Sequence, residues 1–300
     1  MKNFSKLVLA AAVVSAGGLL AWAQDTATKP NVLVDNFTYR TDIGGANAMQ
    51  IRNYVIKGLQ ESNRVNVIDI STTELVELEK KRREGGVDAD GDMDRLKVMQ
   101  QQGANALIQG EITSLDVKEN VSKEDGHKSY DAVLTYTLKA IDPATGVTIH
   151  SDSYKQPNGG PIGIGPLLVL SEATPDQAIM KVSSFVTKDI PSFVDHAFPV
   201  RASILEPKDI KKDEIKSAYI SVGDDAGVKK GNKFFILVER QVAGRISQSQ
   251  IGEMEVEAVE GADISVAKVK KGGKELKQAL DAGQTVVLKT KPQGRRVPVG

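Results

Sequence analysis

The sequence predicts an α+β fold, a mixed α/β sandwich followed by a small β-barrel-like domain. Three observations carry that expectation. Strand-length apolar runs alternate with helical faces spaced three and four residues apart between Asn31 and Ile190. From Phe198 onward the texture changes to short strands broken by glycine-rich turns. The 300 residues also suit two domains at roughly 100–200 residues each.

The chain opens on Lys2 and Lys6, continues through the small and apolar run from Leu7 to Leu20, and reaches Ala21-Trp22-Ala23. A basic start, an apolar middle and an A-x-A exit are the parts of a secretory signal peptide. The run is shorter than the roughly 20 apolar residues of a spanning helix. Residues 1–23 are therefore expected to be removed, with 24–30 a polar leader. Their loss takes away Trp22, the only tryptophan, and with it the best stacking platform for sugars and nucleobases. Lys and Arg total 39 against 39 Asp and Glu, so no global field favours nucleic acid or an anionic membrane. Cysteine is absent, which excludes disulfides, thiolate metal sites, thiol nucleophiles and lipid attachment through cysteine. A cysteine-free exported chain of this size fits the periplasm of a bacterial envelope.

Residues 31–197 form the expected first domain. Asn31–Phe37 is apolar and β-branched, a buried strand that runs into a polar loop at residues 41–45. Ala48, Ile51, Val55 and Leu59 share one helical face, and Arg64–Ile70 alternates as a second strand. Ser71 and Glu74 make a capping box for a surface helix that ends at Gly85-Gly86. Asp92 caps a third helix closed by Gly103, and Asn105–Val117 is the next strand. In Tyr130–Ile141 the residues Ala132, Leu134, Tyr136, Leu138 and Ala140 fall on one face. Asp142-Pro-Ala-Thr-Gly146 is a turn, because Pro presets φ and Gly accepts positive φ, and Val147–Tyr154 returns as its partner strand. Thr174-Pro-Asp-Gln177 starts a helix carrying Ile179, Val182, Val186 and Ile190, which Pro191 should kink or end. Residues 198–292 form the expected second domain, with strands near 218–222, 234–239, 251–256, 262–269 and 285–288. Residues 293–300, with Arg295 and Arg296, form a solvated tail.

Several of these segments carry a resemblance. Val32–Phe37, Arg64–Asp69 and above all Gln102-Gly-Ala-Asn-Ala-Leu-Ile-Gln-Gly-Glu-Ile112 resemble the CsgG/HfaB family, the curli production assembly/transport components. In that family a GAD-x-(L/I)-(I/L)-x-G turn and strand precedes a (V/I)-D-x-x-TG hairpin, which Ile141-Asp-Pro-Ala-Thr-Gly146 matches. The resemblance spans about residues 31–196 and extends to TolB N-terminal regions and a penicillin-binding-protein activator. The G-x-x-x-G-V-x-x-G-x-x-F stretch from Gly223 to Phe234 resembles the C-terminal domain of flagellar assembly protein T. The resemblance implies a CsgG/TolB-N-like sandwich and a non-enzymatic periplasmic protein that scaffolds assembly or secretion at the outer membrane. Other envelope proteins would be its partners, with a homo-oligomer and peripheral outer-membrane association allowed. The alternative it implies is a soluble regulator that binds and activates a periplasmic envelope enzyme. The family's best-known member is a lipid-anchored pore. This chain lacks the lipidation cysteine, and its sequence shows no pair of long strands with alternating lipid-facing residues.

Two segments are candidates for chemistry or docking. Asp88, Asp90, Asp92 and Asp94 alternate as hard oxygen ligands do in a calcium loop, although the glycine is displaced and Met99 stands where a closing glutamate belongs. The same segment also reads as a connection between helices. Pro157–Leu170 is apolar yet rich in Gly and Pro, either a loop whose Leu167–Leu170 end plugs into the core or a partner-docking or membrane-touching loop presenting Ile162, Ile164, Leu167 and Leu168. Gly163-Ile-Gly165 lacks the third glycine of a dinucleotide loop. His127, His150 and His196 show no HExxH spacing and are expected in surface or structural roles; no G-x-S-x-G elbow or phosphate loop occurs. No catalytic residue, no cofactor and no nucleic-acid partner is expected. Export should leave Gln24 as the mature amino terminus, readable by intact mass, and Ala23→Arg should block that processing.

Overall fold

The computed structural model describes residues 29–68, 103–156 and 171–292. The chain is mostly strand, with few helices, arranged as a six-stranded mixed sheet and a closed barrel. The sheet contains β1 (Asn31–Val34), β2 (Thr38–Tyr39), β3 (Asn66–Ile68), β4 (Ala106–Val121), β5 (Lys128–Ile141) and β6 (Thr148–Gln156). Its order is β3-β1-β4-β5-β6, with β2 beside β4. β1 runs parallel to β3 and β4, while β4, β5 and β6 form an antiparallel meander.

Three helices cover one face of this sheet. α1 (Gly45–Ser62) buries Ala48, Ile51, Val55 and Leu59, as their spacing predicts. It ends at Asn63, whose left-handed backbone donates its N–H to Gln60 O. α2 (Pro175–Ser184) begins at Thr174, whose side chain accepts from Gln177 N. α3 (Ile190–Ala197) carries Phe193 and Val194 into the core. Val32, Ile108 and Ile112 meet these helices together with the whole alternating row Ala132, Leu134, Tyr136, Leu138 and Ala140 of β5. Leu33, Ala104 and Leu107 form a smaller cluster on the opposite face.

Pro191 does not end the helix before it. The helical path breaks earlier, at a 3₁₀ turn over Phe185–Lys188, and Pro191 sits in the first turn of α3. Its missing N–H is harmless there, because first-turn donors have no intrahelical acceptor.

The barrel comprises β7 (Arg201–Lys211), β8 (Glu214–Ile220), β9 (Lys233–Val242), β10 (Arg245–Val259), β11 (Ser265–Lys271) and β12 (Thr285–Thr290). It closes in the order β10-β11-β8-β7-β12-β9. Phe234, Ile236, Val238, Met254, Val256 and Leu288 alternate into its core, which α4 (Gly273–Asp281) completes with Leu276 and Ala279. Sequence reasoning missed two elements. β7 hides because register shifts at Ile204/Glu206 and Pro207/Asp209 spoil its alternation. α4 left a short signal in Leu276, Ala279 and Leu280, at helical spacing beneath a charged face.

The β4–β5 pair is also longer than the sequence suggested. β6 pairs with β5 only from Leu134 to Ile141, so Asp116–Val121 and Lys128–Val133 continue as a ribbon, bridged at its outer edge by Tyr130 and Glu172. Lys118, Glu119, Asn120, Lys128 and Asp131 on this ribbon give it no lipid-facing band. No helix among the described residues is long and apolar enough to cross a membrane. A second ribbon extends from the barrel, where β9 and β10 run on past Glu239 and Gln250 to a turn at Ala243-Gly244. Both turn residues have positive φ, which matches a two-residue hairpin turn whose twist suits the strands.

The helix expected from Ser71 to Gly86, the helix capped by Asp92, and the Pro157–Leu170 loop lie outside the described residues.

One close approach tests the sheet packing. The Phe37 ring lies over Gly110 of β4, and a Cβ at Gly110 would stand 2.4 Å from it. Gly110→Ala should therefore cost about 1–3 kcal/mol of overpacking, seen as a lower midpoint in denaturant at unchanged slope.

Candidate functional site at the sheet–barrel junction

The turn after α1, the end of α3 and one rim of the barrel meet at a polar junction. Arg64 follows the left-handed Asn63 and is 6% exposed. Its Nη1 donates to Asp195 Oδ1 at 3.2 Å and its Nη2 to Phe198 O at 3.0 Å. Burial pulls the Arg64 guanidinium below its ordinary value, while Asp195 pulls it back up. Its Nε is buried without a hydrogen-bond partner. Both acceptors lie at the C-terminal end of α3, where a cation also complements the helix dipole.

The barrel presses on the same turn. The 3₁₀ turn Asp224–Ala226 ends at Gly227, which has φ +67° and sits so close that a Cβ would lie 1.7 Å from Asn63 O. Lys229 Nζ donates to Glu61 O at 3.2 Å, and Asn63 Nδ2 to Asp224 Oδ1 at 3.4 Å. At the barrel's other end of chain, Val200 N donates to Thr290 Oγ1 at 2.9 Å and Thr290 N to Val200 O at 2.9 Å. Between α3 and the rim lies a cleft of about 480 Å³, lined by Asp195, Lys230, Gly231, Asn232, Lys233, Thr290, Lys291 and Pro292. Lys291 Nζ meets Glu253 Oε2 at 2.7 Å, and that bond holds the Glu253 carboxyl below the usual carboxylate range. A lowered carboxyl contributes above its ordinary range, and the contribution fades as pH falls through the lowered value.

A second polar cluster lies between β6 and the start of α3. Asp189 Oδ2 accepts from Tyr136 Oη at 2.7 Å and from Gln156 Nε2 at 2.6 Å. The His150 and His196 rings stack at 5.2 Å, with His150 Nε2 3.6 Å from Asp152 Oδ2. His196 Nδ1 lies 2.8 Å from Ser192 O, so that nitrogen carries the proton. His150 and His196 therefore meet in space, which their sequence spacing did not reveal, while His127 is exposed at the β4–β5 turn, where its N–H donates to Asp125 Oδ1. A signal was available: His150, Asp152, Tyr154 and Gln156 recur at period two, so one face of β6 is polar where it meets α3. No group of three or more His, Asp or Glu among the described residues is arranged to hold a metal ion.

No family model matches the chain. No curated protein matches it either. Among solved structures it is similar to the PelC dodecamer from Paraburkholderia phytofirmans, at 12% identity and TM-score 0.34, over 61% of this chain and 96% of that one. It is similar to a hypothetical protein from Chlamydia trachomatis at 12% identity and TM-score 0.35, over 57% of this chain and 98% of that one. The LpoB C-terminal domain from Escherichia coli matches at 14% identity and TM-score 0.29, over 45% of this chain and 87% of that one.

Asp88, Asp90, Asp92 and Asp94, and the docking candidates Ile162, Ile164, Leu167 and Leu168, lie outside the described residues. The junction residues escaped sequence reasoning because Arg64, Asp195 and Lys230 come from segments far apart in the chain, each ordinary by itself.

Arg64→Ala should cost about 3–5 kcal/mol, because it strands the Asp195 carboxylate in a buried site. Replacing both partners, Arg64→Met with Asp195→Leu, should restore most of that loss in equilibrium unfolding. A double variant as unstable as Arg64→Ala would show that the pair's geometry, and not the stranded charge, holds the junction.

Proposed function

We propose that the protein is a non-enzymatic periplasmic protein of the bacterial envelope that works by protein–protein contact, scaffolding assembly or secretion at the outer membrane. The observation that carries this reading is the ribbon of β4 and β5. Its inner face is continuous with the buried row Ala132 and Leu134, yet it runs beyond the helices that cover that row. Val117 and Val121 consequently stand 39% and 56% exposed on one face. Apolar side chains kept on the core face but left uncovered suit a partner surface. Between them Glu119 is set by Tyr130 Oη at 3.0 Å and Lys128 Nζ at 3.0 Å, which gives the strip a fixed polar edge. The ribbon leaving the barrel likewise carries Val242 and Ile246 near its tip, 59% and 69% exposed.

The export leader and the CsgG/HfaB-like segments of residues 31–197 support the compartment and the scaffold role. On this reading residues 198–292 act as an added interaction module. The partners are other envelope proteins, further copies of this chain included.

The test is the native mass of the tagged protein, extracted gently from its own envelope. A defined multi-copy particle is expected, and Val117→Asp with Val121→Asp should dissolve it without moving the melting temperature, as exposed substitutions rarely cost more than about 0.5 kcal/mol. A monomer, or a one-to-one complex with an envelope enzyme, would replace the scaffold by a regulator of that enzyme.

A further inference from the structure

We infer that the junction cleft binds a polyvalent oxyanion, a small molecule carrying two or more phosphate or carboxylate groups, between α3 and the barrel rim. Among the described residues Asp195 is the only acidic side chain lining the cleft, and Arg64 already engages it. Thr290 Oγ1 is spent on both the N–H and the carbonyl of Val200. Asn232 Oδ1 accepts from Lys229 N at 2.7 Å, which leaves its Nδ2 to donate. The Gly231 and Lys291 backbone N–H groups are spent on Val256 O and Lys233 O. Lys291 is held by Glu253. Lys230 and Lys233 line the same cleft and make no ion pair among the described residues, although the charge of Lys233 also acts on the nearby Glu253.

Among the side chains, what remains for a ligand is therefore donors: two ammonium groups and one amide. A metal cation would meet mostly like charge there, and a neutral sugar would find few side-chain acceptors for its hydroxyls. An anion answers both conditions, and a concave wall of net positive charge concentrates it. Lysines act as compact point charges without the planar fork that selects one oxyanion geometry, so phosphate and carboxylate share the chemistry. A volume of about 480 Å³ lies within the roughly 300–1,000 Å³ of small-molecule sites, and leaves room for more than one anionic group.

This inference is independent of the scaffold reading. Its test is titration calorimetry on the full mature chain at low ionic strength, with pyrophosphate in one arm and citrate in the other. Binding in either arm is expected, weakening as salt screens the charges, and the responding arm names the oxyanion type. Lys230→Ala with Lys233→Ala should lower affinity about tenfold or more. Asn232→Asp, which keeps an acceptor for Lys229 N but adds a negative charge to the cleft, should lower it as well. Lys118→Ala with Lys123→Ala, on the distant ribbon, should bind as the unaltered chain does. No heat with either anion, equal affinity in the cleft variants, or equal loss in the ribbon control would each overturn the site.

Discussion

The buried guanidinium of Arg64 fixes how the two halves of the molecule meet. A charge this deep is costly, and the partial return comes from two acceptors that belong to one helix end, the Asp195 carboxylate and the Phe198 carbonyl. Phe198 is also where the chain leaves α3, two residues before Val200 bonds to Thr290 at the far end of the barrel sequence. Arg64 thus sets the point at which one sheet hands the chain to the other. The left-handed turn at Asn63 that aims Arg64 inward is the same turn against which Gly227 packs. Moving the guanidinium therefore means moving a barrel loop.

The other polar cluster completes the same arrangement from the opposite direction. Asp189 precedes α3 and takes donors from Tyr136 and Gln156, while Arg64 holds the last turn. Negative charge before the helix and positive charge after it both follow the direction of its dipole. In between, His196 stacks on His150 and Phe193 fills the core. An eight-residue helix would not persist alone; here it is held at both ends and along one side. The cleft owes one wall to that fixation.

How much of this was legible in the sequence depends on the range of the interaction. The alternation of Ala132 to Ala140 and the spacing of Ala48 to Leu59 report local periodicity against a core, and both landed where expected. The turn Asp142–Gly146 was equally local, with Asp142 accepting from Ala144 N and Thr145 Oγ1. Pro191 misled because proline breaks a helix interior but suits a helix start, and only the break at Phe185–Lys188 decides between them. β7 was lost to bulges that cancel the period-two signal. The junction was invisible for a different reason. Arg64 and Asp195 are 131 positions apart, and nothing in either neighbourhood marks a charge that tertiary packing will bury. The clusters that sequence patterns did flag, the acidic loop and the glycine-proline segment, fall outside the described residues.

The barrel ribbon has a consequence for how such a molecule can vary. Beyond Glu239 and Gln250 the two strands answer only to each other, because β12 and β11 have already stopped pairing. Removing or inserting cross-strand residues two per strand at a time leaves the Ala243-Gly244 turn, the facing of every side chain and the closed barrel as they are. Each such step changes the reach of the arm by about 6–7 Å. Arm length is thus free to drift without touching the core, a built-in ruler for the distance between this chain and whatever it contacts.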